Sequence, residues 1–446
     1  MPTSIMKSLC PTCRRLLKST ETIESGSVYI SRTCPEHGEF KTIVTSDSKY
    51  WTDSLKYDRP GSKPLVYSSS VERGCPNDCG ICSAHKQHTC VGIIEITGQC
   101  NLHCNICFAE SPSSGHVPFE QVTGMIDAYV SYENEPELLQ LSGGEPTLHP
   151  DIIEIVQYAK NLGIQDVAVS TNGLRLLEEE FAKALAETDP VIYLQFDTFN
   201  HEVSKKIRGS DLVEEKKRVV EVCNELEMTT VLVPTIIAGL NVNEIGSLIK
   251  YGLAQKKVFG INFQPVSLTG RIDLPDTQTL SIPQVLREIE TQTNSLVEVS
   301  DFRPIPCPHP HCTSISYMLV DESEVTPLTD LVNVDEYIDY AKDRTLVSEA
   351  VLTNDAFTRL FSTRAVPGTE TNLEAFCVAC GMTIPEVLGK SVKIISVHAF
   401  MDAHTYQLER SQKCCIHVIR PDGKLIPFCN FNMFHRQGGN TNGAQS

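Results

Sequence analysis

The eighteen cysteines of this 446-residue chain fall into groups, and that grouping constrains the fold more than any other feature. They stand at Cys10/Cys13/Cys34, Cys75/Cys79/Cys82/Cys90, Cys100/Cys104/Cys107, Cys307/Cys312, Cys377/Cys380 and Cys414/Cys415/Cys429, while Cys223 alone is isolated and reads as a core thiol. Disulfide frameworks belong to small secreted chains. This chain is long, and Met1 to Leu9 lacks the apolar core of a secretory signal. Grouped thiols in such a chain point to metal ligation and to well-reduced surroundings.

Apolar residues make up 41% of the chain and charged residues 21%, the balance of a globular protein, and the length predicts two or three domains. A formal charge of −18 argues against a dedicated nucleic-acid binder, which needs a basic face. No apolar run reaches the length of a membrane span, so a cytoplasmic location is expected.

Periodicity divides the chain into 1–90, 91–300 and 301–446. The first region is short-strand and turn material, a ribbon that depends on metal for its stability and forms little core of its own. In the second, candidate strands Val91 to Thr97, Leu138 to Ser142, Asp166 to Ser170, Val191 to Asp197, Thr229 to Thr235 and Gly260 to Pro265 alternate with amphipathic stretches. These helical stretches run near Phe119 to Glu133, Asp151 to Leu162, Glu178 to Glu187, Leu212 to Glu227, Val242 to Ala254 and Ile282 to Asn294. Apolar strands separated by helices predict a parallel α/β sheet. Six units are too few for an eight-stranded barrel, so the expected form is a partial (β/α)6 barrel with its active site at the carboxyl ends of the strands. The third region reads as an α+β extension that binds a cluster.

Cys100-Asn-Leu-His-Cys104-Asn-Ile-Cys107 follows the first of these strands. Three thiolates at this spacing hold three corners of a [4Fe-4S] cubane and leave one iron without a protein ligand. Structural zinc sites instead prefer paired cysteines completed to four ligands. The array resembles the signature of the radical S-adenosylmethionine (AdoMet, SAM) superfamily, in which the open iron chelates the amino and carboxylate groups of AdoMet. That resemblance extends to Ser142-Gly143-Gly144-Glu145-Pro146, which matches the motif that binds the AdoMet amino group. Glycines allow close backbone approach, and carbonyl and carboxylate oxygens accept from an ammonium. Ser170, Asn172, Gln195 and Asp197, at the ends of the third and fourth strands, are candidates for AdoMet carboxylate or ribose contacts, with helix capping the competing role. Phe263 falls where family members pack the adenine. Ile106 occupies a position that is often aromatic in the superfamily.

The remaining groups predict further metal. Cys75, Cys79, Cys82 and Cys90 supply four thiolates, enough for an auxiliary [4Fe-4S] cluster with no open iron. Cys307, Cys312, Cys415 and Cys429 supply another four, with Cys414 as the alternative to Cys415 because neighbouring side chains on an extended segment point opposite ways. Cys10, Cys13, Cys34 and His37 form two pairs about twenty residues apart, the pattern of a mononuclear site. A Cys3His set favours zinc, whereas rubredoxin-like iron would prefer a fourth thiolate. Cys377 and Cys380 are either donors from another domain or free thiols, and His309 and His311 read as exposed or capping residues.

The knuckle, the cysteine loop just upstream of the radical array and the C-terminal cysteines together resemble the archaeal tetraether lipid synthases and their relatives, some labelled pterin methyltransferases. The resemblance implies a 5'-deoxyadenosyl radical that abstracts hydrogen from unactivated carbon, to join isoprenoid chain termini through a carbon–carbon bond or, alternatively, to methylate a reduced pterin. It also implies a small electron donor such as ferredoxin or flavodoxin, a lipid or small-molecule substrate, and peripheral membrane contact where that substrate is a lipid.

Overall fold

A computed structural model describes residues 2–113, 115–133, 135–321, 324–330, 333–336 and 391–436. Four antiparallel strands, β1 (Pro2–Leu9), β2 (Leu16–Glu24), β3 (Ser27–Cys34) and β4 (Gly38–Thr45), pair in sequence order. Ser25 and Gly26, with φ of 49° and 81°, turn the β2–β3 hairpin in the left-handed conformation that short hairpins require. Alternate residues Val28, Ile30, Arg32 and Cys34 face inward along β3. The little ribbon is held against the C-terminal segment: Leu9 packs with Met401, Tyr406 and Met433, and the Arg32 guanidinium donates to the His404 carbonyl at 2.8 Å.

Beyond this ribbon the chain is an α/β protein. Strands β5 (Val91–Thr97), β6 (Leu138–Gly143), β7 (Asp166–Thr171), β8 (Val191–Leu194), β9 (Thr230–Leu232) and β10 (Val258–Pro265) are parallel neighbours in chain order, as expected for a partial barrel. Helices Phe119–Glu133, Ile152–Asn161, Glu179–Ala186, Val213–Glu225, Ile245–Ala254 and Ile282–Gln292 fall within the predicted stretches. Their apolar stripes and the outer faces of the strands form one core that includes Ile94, Ile126, Tyr129, Leu139 and Leu141. Each such side chain contributes about 1.5–3 kcal/mol when fully buried. An additional helix, His201–Arg208, was not expected. Only Val203 and Ile207 give it an apolar stripe, and it is fixed at its ends instead: the Asn200 side chain accepts from the amides of Glu202 and Val203, and Gly209 closes it with φ of 77°.

Residues 301–446 contribute strands to both edges of the barrel sheet. Strand β11 (Thr313–Val320) runs antiparallel to β12 (Ser391–His398), and β12 is parallel to β10. At the opposite edge β13 (Ile416–Ile419) is parallel to β5 and antiparallel to β14 (Leu425–Pro427). The six predicted strands thereby become a parallel run in the order β13-β5-β6-β7-β8-β9-β10-β12. An open six-stranded barrel leaves two rows of unpaired backbone groups, and these strands satisfy them. Among the described residues no helix is long and apolar enough to cross a membrane. Cys377 and Cys380 lie outside the described residues.

Candidate active site

The carboxyl ends of β5 to β10 open into a cavity of about 290 Å³ lined by Cys100, Cys104, Cys107, Gly144, Glu145 and Asn172, among others. The array loop is fixed from both sides. Asn105 donates through its backbone to the Ile207 carbonyl and through its side chain to the Lys206 carbonyl. The Arg271 guanidinium donates to the carbonyls of Cys104 (2.8 Å) and Ser111 (2.7 Å), and Ile106–Cys107 pairs with Arg271–Ile272. All three thiols are half-buried. Burial pushes the Cys100 thiol up to about 11, so a bound centre must supply the positive charge that favours the thiolate. Three converging thiols beside a cavity with polar walls fit an iron–sulfur cluster with AdoMet on its open iron.

Ser142, Gly143, Gly144, Glu145, Ser170, Asn172 and Gln195 all line this cavity. The two glycines are demanded by the array loop itself. A Cβ on Gly143 would lie 2.2 Å from the Thr97 carbonyl oxygen, and one on Gly144 would lie 2.1 Å from that of Gln99. Glu145 is buried, and its carboxylate accepts from Thr147 N (3.1 Å), Thr147 Oγ1 (2.7 Å), Thr171 Oγ1 (2.6 Å) and Asn172 N (2.7 Å). Its principal contacts therefore tie the end of β6 to the end of β7. Asn172 also donates to the Asn101 side chain at 2.7 Å, which joins this junction to the array.

Two expectations change. Phe263 is wholly buried in the main core and is absent from the cavity wall, where its neighbours Asn262, Gln264 and Pro265 stand instead. Side chains alternate along a strand, so an aromatic residue flanked by two lumen-facing amides must point outward to the helices. Asp197 is likewise withdrawn from the wall. It is buried in a bidentate pair with Arg208, Nε and Nη2 each donating at 2.7 Å, and it accepts from the Thr235 amide at 2.9 Å.

Sequence reading missed Arg208 and Lys216. Burial works against Arg208's charge, but Asp197 outweighs it and holds the guanidinium pKa above its ordinary value. Arg208 lines the cavity beside the Cys104 thiol. Lys216 donates to the Gln195 side chain at 3.0 Å and to the Asn172 carbonyl, and burial brings its pKa down to about 8. Both sit in polar helical runs, so local sequence does not distinguish them from surface cations. A trio of aromatic rings was also missed: Phe108, Phe400 and Phe428 pack with centroids 4.9–5.8 Å apart and border the cavity.

The auxiliary cysteines regroup. Cys90 does not complete the Cys75/Cys79/Cys82 set. Its sulfur lies with those of Cys307 and Cys415, all within 4.8 Å of one another and all buried. The cause is strand pairing: the Cys90 amide donates to the Cys415 carbonyl at 2.9 Å where β13 joins β5. Cys312 and Cys429 stand with Cys414, whose thiol is pushed up by burial and then by these two neighbours. Cys414 and Cys415 thus belong to different cysteine groups. Cys75, Cys79 and Cys82 remain together, and burial first, then mutual charge, raises Cys75 to about 11 and Cys79 to about 12. The predicted four-thiolate sets are thus replaced by three groups of three. His311 is buried, stacked on Trp51 at 3.4 Å between ring centroids, and bonded to the Trp51 carbonyl in the last turn of the helix Ser48–Ser54, so of the two outcomes expected, exposed or capping, exposure is excluded. His309 is half-buried, its Nδ1 accepts from the His311 amide at 3.2 Å, and desolvation is the leading cause that holds its pKa well below the ordinary value.

Cys10, Cys13, Cys34 and His37 converge as expected, with Cys13 and Cys34 sulfurs 3.8 Å apart and His37 Nδ1 3.8 and 3.4 Å from those of Cys10 and Cys34. A tetrahedral zinc with bonds of about 2.3 Å separates its sulfurs by about 3.8 Å, so this set fits one mononuclear ion.

A second cavity, of about 260 Å³, occupies the barrel lumen and adjoins the first through Gln140, Tyr193, Asn262, His398, Phe400 and Phe428. Apolar side chains of the strands dominate its wall, including Leu138, Val191, Val231, Phe259 and Ile394. Both C-terminal cysteine groups line it.

A partial α/β barrel with a three-cysteine array at the carboxyl end of its first strand defines a radical SAM enzyme, and residues 94–252 match the model of the Radical SAM superfamily. Residues 3–46 match the HMPTM N-terminal zinc ribbon domain. The chain is 32% identical to the 7,8-dihydro-6-hydroxymethylpterin dimethyltransferase of Methanocaldococcus jannaschii, over 96% of this chain and 93% of the relative, and it belongs to that family. A probable GTP 3',8-cyclase of Methanococcus maripaludis is 28% identical over 35% of this chain and 53% of its own length. Streptococcus suis SuiB bound to S-adenosylmethionine aligns with 47% of this chain and 48% of its own, at 16% identity and a TM-score of 0.39.

Proposed function

We propose that this chain is a radical AdoMet methyltransferase acting on a reduced pterin, the substrate class in the name of its full-length relative. The observation that supports this reading is a belt of polar side chains across the strands between the AdoMet cavity and the apolar lumen. Gln140 donates to the Ser170 hydroxyl at 2.6 Å, Ser396 donates to the Asn262 side chain at 3.1 Å, and Asn262 donates to the Tyr193 hydroxyl. Gln264 reaches the same tyrosine. A pterin ring carries several donors and acceptors, and each one buried without a partner costs about 1–3 kcal/mol. Amides held in place by one another meet that need without reorganisation.

The cluster of Cys100, Cys104 and Cys107 would supply one electron for reductive cleavage of AdoMet, which gives a radical able to take hydrogen from unactivated carbon. The chain's part is placement. Thr97, Gln99 and the Gly143–Gly144 turn fix the array, the Glu145 junction fixes the strand ends, and the Phe108/Phe400/Phe428 rings exclude water.

A second reading, coupling of isoprenoid chain termini, is supported by the apolar lumen beside the site. Buried methylenes contribute about 0.8 kcal/mol each, so this wall suits a hydrocarbon better than a heterocycle. Reduced enzyme incubated with AdoMet and either deuterated 7,8-dihydro-6-hydroxymethylpterin or a deuterated diether lipid separates the two. Deuterium in 5'-deoxyadenosine is expected from the first mixture. Transfer from the lipid alone would replace the pterin reading with the coupling reading.

A further inference from the structure

Strand β5 carries a carboxylate where a parallel strand is ordinarily apolar. Ile94 and Ile96 are wholly buried in the core under the outer helices, so the alternation of side chains turns Ile93 and Glu95 to the AdoMet cavity, whose wall includes both. Glu95 does not stand alone. Its Oε1 accepts from Arg436 Nη2 at 2.6 Å, and Arg436 lines the same cavity. The Glu95 and Arg436 side chains are 26% and 9% exposed, so the pair is largely withdrawn from bulk water.

Arg436 is fixed along one edge. Its amide donates to the Phe431 carbonyl at 3.0 Å, its guanidinium lies 5.0 Å from the Phe431 ring centroid, and Asn432 Oδ1 accepts from Nε (3.0 Å) and Nη2 (2.7 Å). A guanidinium has five N–H donors. The three on Nε and Nη2 are engaged, which leaves the two on Nη1. Among the described residues nothing bonds to Nη1 or to Glu95 Oε2, and neither atom is sealed in the interior. A preassembled ion pair therefore keeps one charged donor group and one charged acceptor for a ligand.

The position of the pair bears on which ligand that is. Ile416 and Phe428 line both this cavity and the apolar lumen, and Arg436 ends the helical segment Phe431–His435 that follows Phe428. Glu95 lies two and three strands from Asn172 and Gln195, at the ends of β7 and β8. A lactam, an N–H next to a carbonyl, is the complement of a carboxylate and a guanidinium, and a pterin carries one at N3 and O4. A hydrocarbon tail offers nothing to either charge.

We infer that Glu95 and Arg436 determine specificity for the pyrimidine edge of the substrate: Glu95 Oε2 accepts from the pterin N3–H, and Arg436 Nη1 donates to O4. The inference rests on the reduced-pterin reading above. Both bonds are charge-assisted, and because the pair is already assembled, little side-chain freedom is lost on binding. Glu95 also stands in register with Ser142 on β6, which makes the AdoMet ammonium the competing ligand for Oε2.

The test uses anoxically purified, metal-loaded protein and titration calorimetry with three ligands, each added alone: 7,8-dihydro-6-hydroxymethylpterin, its N3-methyl analogue, and AdoMet. The natural chain is compared with Glu95→Gln and Arg436→Met, with iron content and unfolding temperature as controls. Both variants should bind the pterin at least about tenfold more weakly, and AdoMet as the natural chain does. The N3-methyl analogue has no hydrogen for Glu95. It should bind the natural chain at least about tenfold more weakly than the pterin does, and Glu95→Gln should weaken it little further. A pair with a purely structural role would lower the affinity for both pterins alike. That result, or unchanged pterin affinity in both variants, would overturn the assignment. So would loss of AdoMet affinity with pterin binding retained, which would give Glu95 to the ammonium. A natural chain that binds AdoMet but no pterin would instead remove the pterin reading itself, and this assignment with it.

Discussion

Replacing Glu145 by glutamine tests whether this residue acts mainly on the fold or mainly on AdoMet. The carboxylate takes four hydrogen bonds, three at Oε1 from Thr147 N, Thr147 Oγ1 and Thr171 Oγ1, and one at Oε2 from Asn172 N. Glutamine has one acceptor oxygen. Its better orientation keeps oxygen at the Oε1 position and sets an NH2 group against the Asn172 amide. That amide loses its partner in a buried place, at about 1–3 kcal/mol, and the three surviving bonds lose charge assistance worth about 0.5 kcal/mol each. The total is about 2.5–4.5 kcal/mol for opening the β6–β7 junction. At about 1.4 kcal/mol per decade, the amides of Thr147 and Asn172 should exchange with deuterium two to three orders of magnitude faster in Glu145→Gln. Exchange is followed residue by residue without AdoMet. Unchanged protection at Asn172 together with lost AdoMet affinity would refute the reasoning and make the carboxylate a ligand of the AdoMet ammonium.

The regrouped cysteines predict that Cys90→Ala disturbs the same spectroscopic iron–sulfur signal as Cys307→Ala and Cys415→Ala, and leaves the signal lost in Cys82→Ala intact; the reverse pattern by paramagnetic resonance would restore the contiguous set. Lys216 gives a pH prediction. Its folded pKa of about 8 lies below the ordinary 10.5, so between those values the unfolded chain binds more protons and stability rises with pH. Relative to Lys216→Met, the natural chain should be about 3 kcal/mol less stable below pH 8 than above pH 10.5, and parallel unfolding profiles would exclude the effect.

The parallel sheet was legible because strands β5 to β10 are short apolar runs and the helices between them carry clear stripes. The helix His201–Arg208 was not, since its order comes from the Asn200 cap and from Gly209. Cys100, Cys104 and Cys107 were legible because all three ligands lie on one loop. The auxiliary groups were misjudged for the opposite reason. Spacing in the sequence favours Cys90 with Cys82, whereas the pairing of β13 with β5 brings Cys415 from more than three hundred residues away. Phe263 was misplaced for want of the period-two rule, which Asn262 and Gln264 on either side already imply.

That single strand pairing also organises the chemistry. Strand β5 carries Cys90 immediately before its first residue and delivers the array just after its last. Seven residues of parallel strand span about 23 Å at about 3.3 Å each, so the Cys90/Cys307/Cys415 group and the AdoMet cysteines stand at opposite ends of one strand. The apolar lumen lies between them, walled by Leu138, Val191, Val231 and Phe259, with both C-terminal cysteine groups on its surface. The N-terminal ribbon is anchored by Leu9 and Arg32 to the segment that carries Cys429, and it touches the barrel itself at the outer helix Ile282–Gln292, where the Thr45 hydroxyl donates to that of Ser281 at 3.2 Å. Loss of its metal should therefore loosen residues 401–433 before it disturbs Cys100, Cys104 and Cys107, because the array is held by the barrel's own contacts through Asn105, Gly143 and Arg271.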